Sequence, residues 1–417
     1  MHRRVHRTAK AWGVAVVALA AIGMGCSDNS NSDASPLDSG GDNGSESTNA
    51  PSDGDVIVGV IADTSGPAAQ VSTVTQEGID LAVEEINDDG GIDGANVSLM
   101  LDNDAGDATQ TAALVRKQAA AGAETILFTT SSASILGVKE VCEELKVVCI
   151  SPTSPSPAIP APPNNTYAFG VAPGIDKTAT ALAEAMPKDD IQTVAFLEDN
   201  NPTVIGIDDA LIKAMEENGL EVVAREAVAP TANDASAEVA RIAEAKPDAV
   251  LISSLGGQPE ITMTNAMFQQ LPDLPKFGKQ SLPNQPSIWS LADPGALEGI
   301  VYAQTIDMTN PRTAELAKKL EERLGGDYIA MSDYYAQGYD AMFLVKAAYE
   351  DEAAGGDRLK GFESIEGYEP HFGQDGLTLS FTSEKHSAPD DLCAIVMLEF
   401  DAENKPAGPW SVFQPTC

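Results

Sequence analysis

From Asp55 onward the chain alternates short apolar runs with amphipathic stretches of helical period, and few architectures accept that rhythm. "VIVGVIAD" reads as a buried strand, and "TQEGIDLAVEEIND" as the helix after it, with Ile79, Ala82, Val83 and Ile86 on one face. "NVSLMLDND", "ETILFTT" and "KVVCISP" are the next strands, with "AALVRKQAAAGA" and "ILGVKEVCEEL" as the helices between them. Strands separated by helices pair in parallel through crossovers, so the pattern predicts α/β architecture with a doubly wound parallel sheet.

The Pro-rich "SPTSPSPAIPAPPNN", residues 151–165, interrupts the rhythm, which then restarts with "TVAFLED", "GIDDALIKAMEENG", "LEVVARE", "ASAEVARIAEA", "DAVLISS" and "GIVYAQ". A second run of the same pattern predicts two similar lobes. "TAELAKKLEERLG" and "DYYAQGYDAMFLVKAAYEDEA" are helical, and "CAIVMLEFDAENKPAGPWSVFQPTC" reads as a β-hairpin centred on Lys405.

The first 25 residues differ from the rest. Arg3, Arg4, Arg7 and Lys10 precede an apolar run from Trp12 to Met24 that ends in "GMGC", too short to span a bilayer comfortably and arranged like a secretory signal. With Cys26 after the cut, the segment resembles a bacterial lipoprotein signal, which implies an acylated (palmitate-bearing) Cys26. Gly23 departs from the usual aliphatic residue, and an ordinary secretion signal is the alternative. Residues 26–54 are mostly Ser, Asp, Asn and Gly, a composition that buries too little apolar area to fold, so they are expected to form a disordered tether. The expected location is the outer face of the cytoplasmic membrane, in the periplasm or at the cell surface.

Removing the signal takes four of the 25 basic residues and no acid, leaving 21 against 63 and a formal charge of −42. Nucleic acid is therefore not an expected partner. An exported chain with Cys142, Cys149, Cys393 and Cys417 beyond Cys26 is expected to carry two disulfides. A hairpin centred on Lys405 sets Cys393 opposite Cys417, which leaves Cys142 with Cys149. The spacing fits no common zinc pattern, and no metal or cofactor is expected.

In open parallel sheets ligands gather beyond the carboxyl ends of the strands. "ADTSGPAA", "DNDAGD", "TTSSAS" and "SPTSPS" follow the first four strands. "DNDAGD" resembles the start of a calcium loop, but Gly106 stands at the third ligand position and no closing Glu follows. In "TTSSAS", Ser131 and Ser132 precede a helix, where hydroxyls either cap the first turn or help its N–H groups hold an anion.

"IVGVIADTSGPAAQ" with "EGIDLAVEEINDDGGIDG", followed by "TTSSAS", "CISPTSPSP", "DAVLISS", "ALEGIVYAQ" and "YYAQGYDAMFLVKAA", resembles the class I periplasmic solute-binding proteins of the branched-chain amino-acid type, which serve ABC importers. The resemblance covers roughly residues 55–370. It implies two α/β lobes clamping a ligand and joined by three crossings, near Val171–Pro173, Thr305–Asp307 and Tyr368–Gly373. Residues 55–171 and 306–369 would form lobe 1, and 172–305 and 370–417 lobe 2.

By the same resemblance, Ser132 and neighbouring backbone N–H groups would take a ligand carboxylate, and the Thr153 carbonyl would accept from a ligand amine. Ser65, Ser131 and Ser154 complete the expected first-lobe set; Asn201, Gln258 and Gln280 are the expected second-lobe contacts. The chain departs from the family pattern at Pro155, where a threonine is usual, at Val71, Pro202 or Thr203, and Gly257 or Gln258 in place of aromatics, and at Lys279–Leu282, where no acid stands. The expected ligand is thus a small polar solute: an amino acid, an amide or a carboxylate. An ABC permease and membrane tethering by lipid are the expected partners of a monomer. A ligand-sensing receptor subunit is the alternative. Catalysis is not expected, since no G-x-S-x-G occurs and only His371 and His386 lie beyond the signal.

Overall fold

The computed structural model describes residues 54–416 apart from positions 67, 285 and 331. The signal, Cys26, all but the last residue of the tether, and Cys417 lie outside the described residues.

The first alternation folds as expected. β1 (Val56–Ala62), α1 (Ala69–Asp88), β2 (Val97–Asn103), α2 (Ala108–Ala120), β3 (Thr125–Thr129), α3 (Ser132–Leu145), β4 (Val148–Ser151) and β5 (Ala168–Gly170) follow in order. Their strands form one parallel sheet in the order β2-β1-β3-β4-β5. The Pro-rich segment between β4 and β5 is held by the buried Lys139, whose Nζ donates to the carbonyls of Ala158 and Ala161.

The second alternation comprises α4 (Ile175–Ala185), β6 (Thr193–Asp199), α5 (Pro202–Glu217), β7 (Glu221–Val228), α6 (Ser236–Ala245), β8 (Ala249–Ser253), α7 (Gln258–Gln270), β9 (Lys276–Gly278), α8 (Pro286–Leu291) and β10 (Val301–Gln304). Helices α9 (Pro311–Leu324), α10 (Tyr334–Tyr349) and α11 (Arg358–Glu363) follow, then β11 (Val396–Phe400) and β12 (Pro406–Pro409). The second sheet runs β12-β11-β10-β9-β8-β6-β7, antiparallel only at the β10, β11 and β12 contacts. Its parallel part, β7-β6-β8-β9-β10, repeats the strand order of the first sheet. Both lobes are therefore wound alike, with the first strand of each one place in from the sheet edge.

Two expectations need correction. The hairpin pairs Leu398 with Pro409 and Phe400 with Pro406, so it turns around Glu403 and Asn404 rather than Lys405. Asn404 takes the left-handed φ of 59° that this tight turn demands. The chain beyond Gly373 also does not stay with the second sheet. Residues 377–388 return to the first, where Ser387 bridges Gly170 and the Ala388 N–H donates to the Gly170 carbonyl. The cause is aromatic burial: Phe381 and His386 pack on Phe169, with ring centroids 5.7 and 4.1 Å away, and a crossing at 368–373 followed by residence on the second lobe would strip that contact.

Cys142 and Cys149 are joined by a disulfide that ties α3 to β4. Cys393 is disulfide-bonded as well, and the position expected to pair with it, Cys417, is outside the described residues.

Helices α1 and α10 cross at two glycines. A Cβ on Gly78 would lie 2.0 Å from the Tyr335 carbonyl oxygen, and one on Gly338 would lie 2.3 Å from that of Thr75. The backbones are in direct contact there. Gly→Ala in a helix interior ordinarily gains about 1 kcal/mol, whereas forced overpacking costs about 1–3 kcal/mol, and displacing backbone belongs at the upper end. Gly338→Ala is expected to lower unfolding stability in a urea titration; an unchanged or higher midpoint would show that the two helices separate freely.

Candidate ligand cleft

Because both sheets end their parallel strands in the same region, the loops beyond those ends enclose a cavity of about 360 Å³ with walls from both lobes. Ser131, Ser132, Thr153, Ser154, Asn201 and Gln280 line it. Two other residues expected at the ligand do not. Ser65 lies in the β1–α1 turn, where its N–H donates to Asp63 and its hydroxyl accepts from Asn103. Gln258 opens α7 and spends its amide on Thr262, one helical turn along.

The first-lobe wall is fixed by buried polar groups. The Asp63 carboxylate, fully buried, accepts the N–H groups of Ser65, Gly66 and Ala68 and shapes the turn into α1. Asp104, also fully buried, accepts from the Gly106 N–H and from the hydroxyls of Thr111 and Thr130, which ties the β2 turn to the β3 turn. Ser131 caps α3 by accepting the Ser134 N–H at 3.2 Å. Ser132 is the first residue of α3, so its N–H and that of Ala133 have no carbonyl four residues back within the helix. The Ser132 hydroxyl meets that of Ser154 at 2.6 Å, and both residues line the cavity. A helix start carrying two hydroxyls suits a negative group. Capping thus falls to Ser131 and not to Ser132.

The second-lobe wall contains residues that sequence reasoning passed over. Lys279 lines the cavity and pairs with the fully buried Asp208 at 2.9 Å. Against it stands Tyr334 at the head of α10, a helix packed on α1 of the first lobe; its ring is buried, its hydroxyl is hydrogen-bonded by the side chains of Gln280 and Asn284, and burial raises its titration. Ser254, Leu255 and Ser281 complete the second-lobe side, while Ile175 and Thr178 on α4 close one end. Pro155 and Val71, noted as departures from the family pattern, also line the cavity. Nothing near Lys279 in sequence marks Asp208, which lies 71 residues away.

Behind this wall Glu260 is completely buried, with Oε1 accepting from Ser281 at 3.3 Å and Oε2 unpartnered. Burial pushes its carboxyl up to about 8, against smaller opposing effects of Lys279 and Ser281. Burial likewise raises Asp199, which accepts from the Asn201 N–H and the Ser254 hydroxyl.

Among the described residues no group of His, Cys, Asp and Glu side chains is placed to hold a metal ion, and no helix is long and apolar enough to cross a membrane.

Residues 55–391 match the family model described as periplasmic binding protein. A Leu/Ile/Val-binding protein of Rhizobium johnstonii is 26% identical over 308 residues, 73% of this chain and 81% of its own. A Leu/Ile/Val-binding protein homolog of Brucella melitensis is 26% identical over 301 residues, covering 71% and 79%. Among solved structures, an ABC transporter substrate-binding protein from Sphaerobacter thermophilus superposes with a TM-score of 0.71 at 18% identity, over 83% of this chain and 93% of that one. A branched-chain amino acid transporter substrate-binding protein from Streptococcus pneumoniae, in complex with isoleucine, gives 0.70 at 16% identity over 85% and 100%.

Because Glu260 keeps its proton in the folded state well above its ordinary value of 4.5, the unfolded chain releases a proton that the folded chain holds. Stability therefore falls as pH rises from the ordinary value towards about 8. Glu260→Gln cannot ionise and keeps an acceptor for Ser281. Its melting temperature is expected to exceed the parent's by a margin that widens between pH 5 and pH 8, and a constant margin would contradict this.

Proposed function

The chain belongs to the periplasmic binding protein family, and from that premise we propose that it is the solute-binding lipoprotein of an ABC importer. It captures a small polar solute, an amino acid, an amide or a carboxylate, between its lobes and delivers it to a membrane permease. It performs no catalysis. The observation that supports this best is the cavity itself, walled by first-lobe serines at a helix start and Tyr334 of α10, and by second-lobe Lys279 and Gln280. A ligand touching both walls stabilises the arrangement in which they approach, so binding and lobe closure are one equilibrium.

In this reading the α3 start is the anionic seat. The N–H groups of Ser132 and Ala133 and the hydroxyls of Ser132 and Ser154 offer donors without a full positive charge. The lobes move as two bodies about Val171–Pro173, Thr305–Asp307 and the segments around Gly373 and Ala388. Their hydrogen bonds, Gly373 N–H to Thr305 at 2.6 Å and Gln374 N–H to Cys393 at 2.9 Å among them, run between crossings and leave the sheets intact. The basic, apolar and small-residue sequence ending at Cys26, followed by the polar stretch to residue 54, supports a lipid anchor with a long leash.

Ligand addition is expected to raise the melting temperature and to reduce the radius of gyration in solution scattering. Ser132→Ala removes one hydroxyl at the seat, and a hydrogen bond to a charged group is worth about 1.5–3 kcal/mol, so affinity for a carboxylate is expected to fall roughly 10- to 100-fold. An unchanged Kd by titration calorimetry would place the anionic end elsewhere. For the anchor, Cys26→Ser is expected to release the protein from membranes into the soluble exported fraction; retention on membranes would remove the lipid from the account.

A further inference from the structure

We infer that the ligand of this cleft is an organic anion without an ammonium group, a small carboxylate with an apolar body. The inference rests on the solute-binding reading and narrows its ligand class. Its basis is the charge on the cavity wall. Among the described residues lining the cavity, Lys279 is the single charged side chain, and none is Asp or Glu. The acids nearby stand behind the wall. Asp208 is fully buried and does not line the cavity, whereas its partner Lys279 does. Glu260 is buried behind the wall, and burial pushes its carboxyl up to about 8. The Asp199 carboxylate is directed to the Asn201 N–H and the Ser254 hydroxyl.

A zwitterionic amino acid brings a carboxylate and an ammonium group. The first finds the α3 start. The second finds only neutral acceptors, such as the Thr153 carbonyl, and Lys279, whose like charge repels it in a partly desolvated cavity. Carbonyl and hydroxyl dipoles offset part of the desolvation, but they bring no net charge. An anion with no ammonium avoids that conflict and gains the field of Lys279 as well. Val71, Ile175, Ile207 and Leu255 line the cavity too and give a hydrocarbon body its contacts. Asn201, Gln280 and Ser281 also line the cavity and make part of its wall polar.

The test uses the exported protein and matched pairs that differ only at the ammonium position: leucine with 4-methyl-2-oxopentanoate, phenylalanine with phenylpyruvate, alanine with pyruvate, each by titration calorimetry at pH 7. The expected result is that the deaminated member binds at least about tenfold more tightly in one or more pairs. Lys279→Met alone would strand Asp208, so the variant is the double substitution Lys279→Met with Asp208→Asn. Its expected effect is a loss of most of that preference, with the fold checked by circular dichroism; the parent comparison stands even where the variant does not fold. Equal or tighter binding of the amino acid in every pair that binds overturns the inference and leaves solute capture intact. Silence from all six probes also overturns it, and the same titrations with sugars and uncharged amides then separate the two levels. Binding there keeps the solute-binding reading, and silence there removes it too.

Discussion

Loops beyond the carboxyl ends of parallel strands expose backbone N–H groups that no ladder serves, and this chain satisfies them with buried carboxylates. In the first lobe Asp63, directly after β1, takes three N–H groups leading into α1. In the second lobe Asp199 closes β6, the strand at the equivalent place in the winding, and takes the Asn201 N–H leading into α5. One device serves both halves. An unpaired buried N–H costs about as much as a lost hydrogen bond, while a charge-assisted bond to carboxylate is roughly twice as strong as a neutral one. The walls of the cleft therefore stand where they do before any ligand arrives, and the serines of α3 are presented on a preset frame.

The same economy joins the lobes. Asp333 is fully buried at the head of α10 and accepts from Thr305 on a crossing at 2.9 Å and from Asn284 of the second lobe at 3.2 Å. Burial pushes its carboxyl up to about 6 against those hydrogen bonds. Its neighbour Tyr334 forms cleft wall and is bonded to the same Asn284. The residue that touches the cavity and the residue that touches the hinge are thus consecutive in sequence and share a partner. A helix packed on α1 through backbone contact at Gly78 and Gly338 carries both.

Periodicity made the two sheets legible because burial on both faces leaves continuous apolar runs such as "VIVGVIA" and "AVLIS". The serine turn was legible too, since hydroxyls before an apolar helix have few uses. What pattern could not supply was direction and partnership. Gln258 sits in the right loop, but helix geometry sends its amide to Thr262. Ser65 sits in the right turn, but Asn103 claims its hydroxyl. The return of residues 377–388 to the first lobe is decided by Phe381 and His386 against Phe169, a contact spanning more than two hundred residues that leaves no local trace. Lys279 was noted only for the acid it is not; its burial and its pairing with Asp208 are tertiary facts.

The whole chain carries a formal charge of −38, which at first sight argues against an anionic ligand. Distance resolves the conflict. At physiological salt the screening length is about 8 Å, so acids dispersed over the outer surface act weakly on a group seated inside the cleft. There the nearest groups decide: a lysine on the wall with its buried carboxylate partner, the N–H groups of a helix start, and an acid whose carboxyl burial pushes up to about 8. Global charge governs solubility and the approach of partners, whereas the sign of the bound solute is set by a handful of atoms whose positions the buried carboxylates of the strand ends have already fixed.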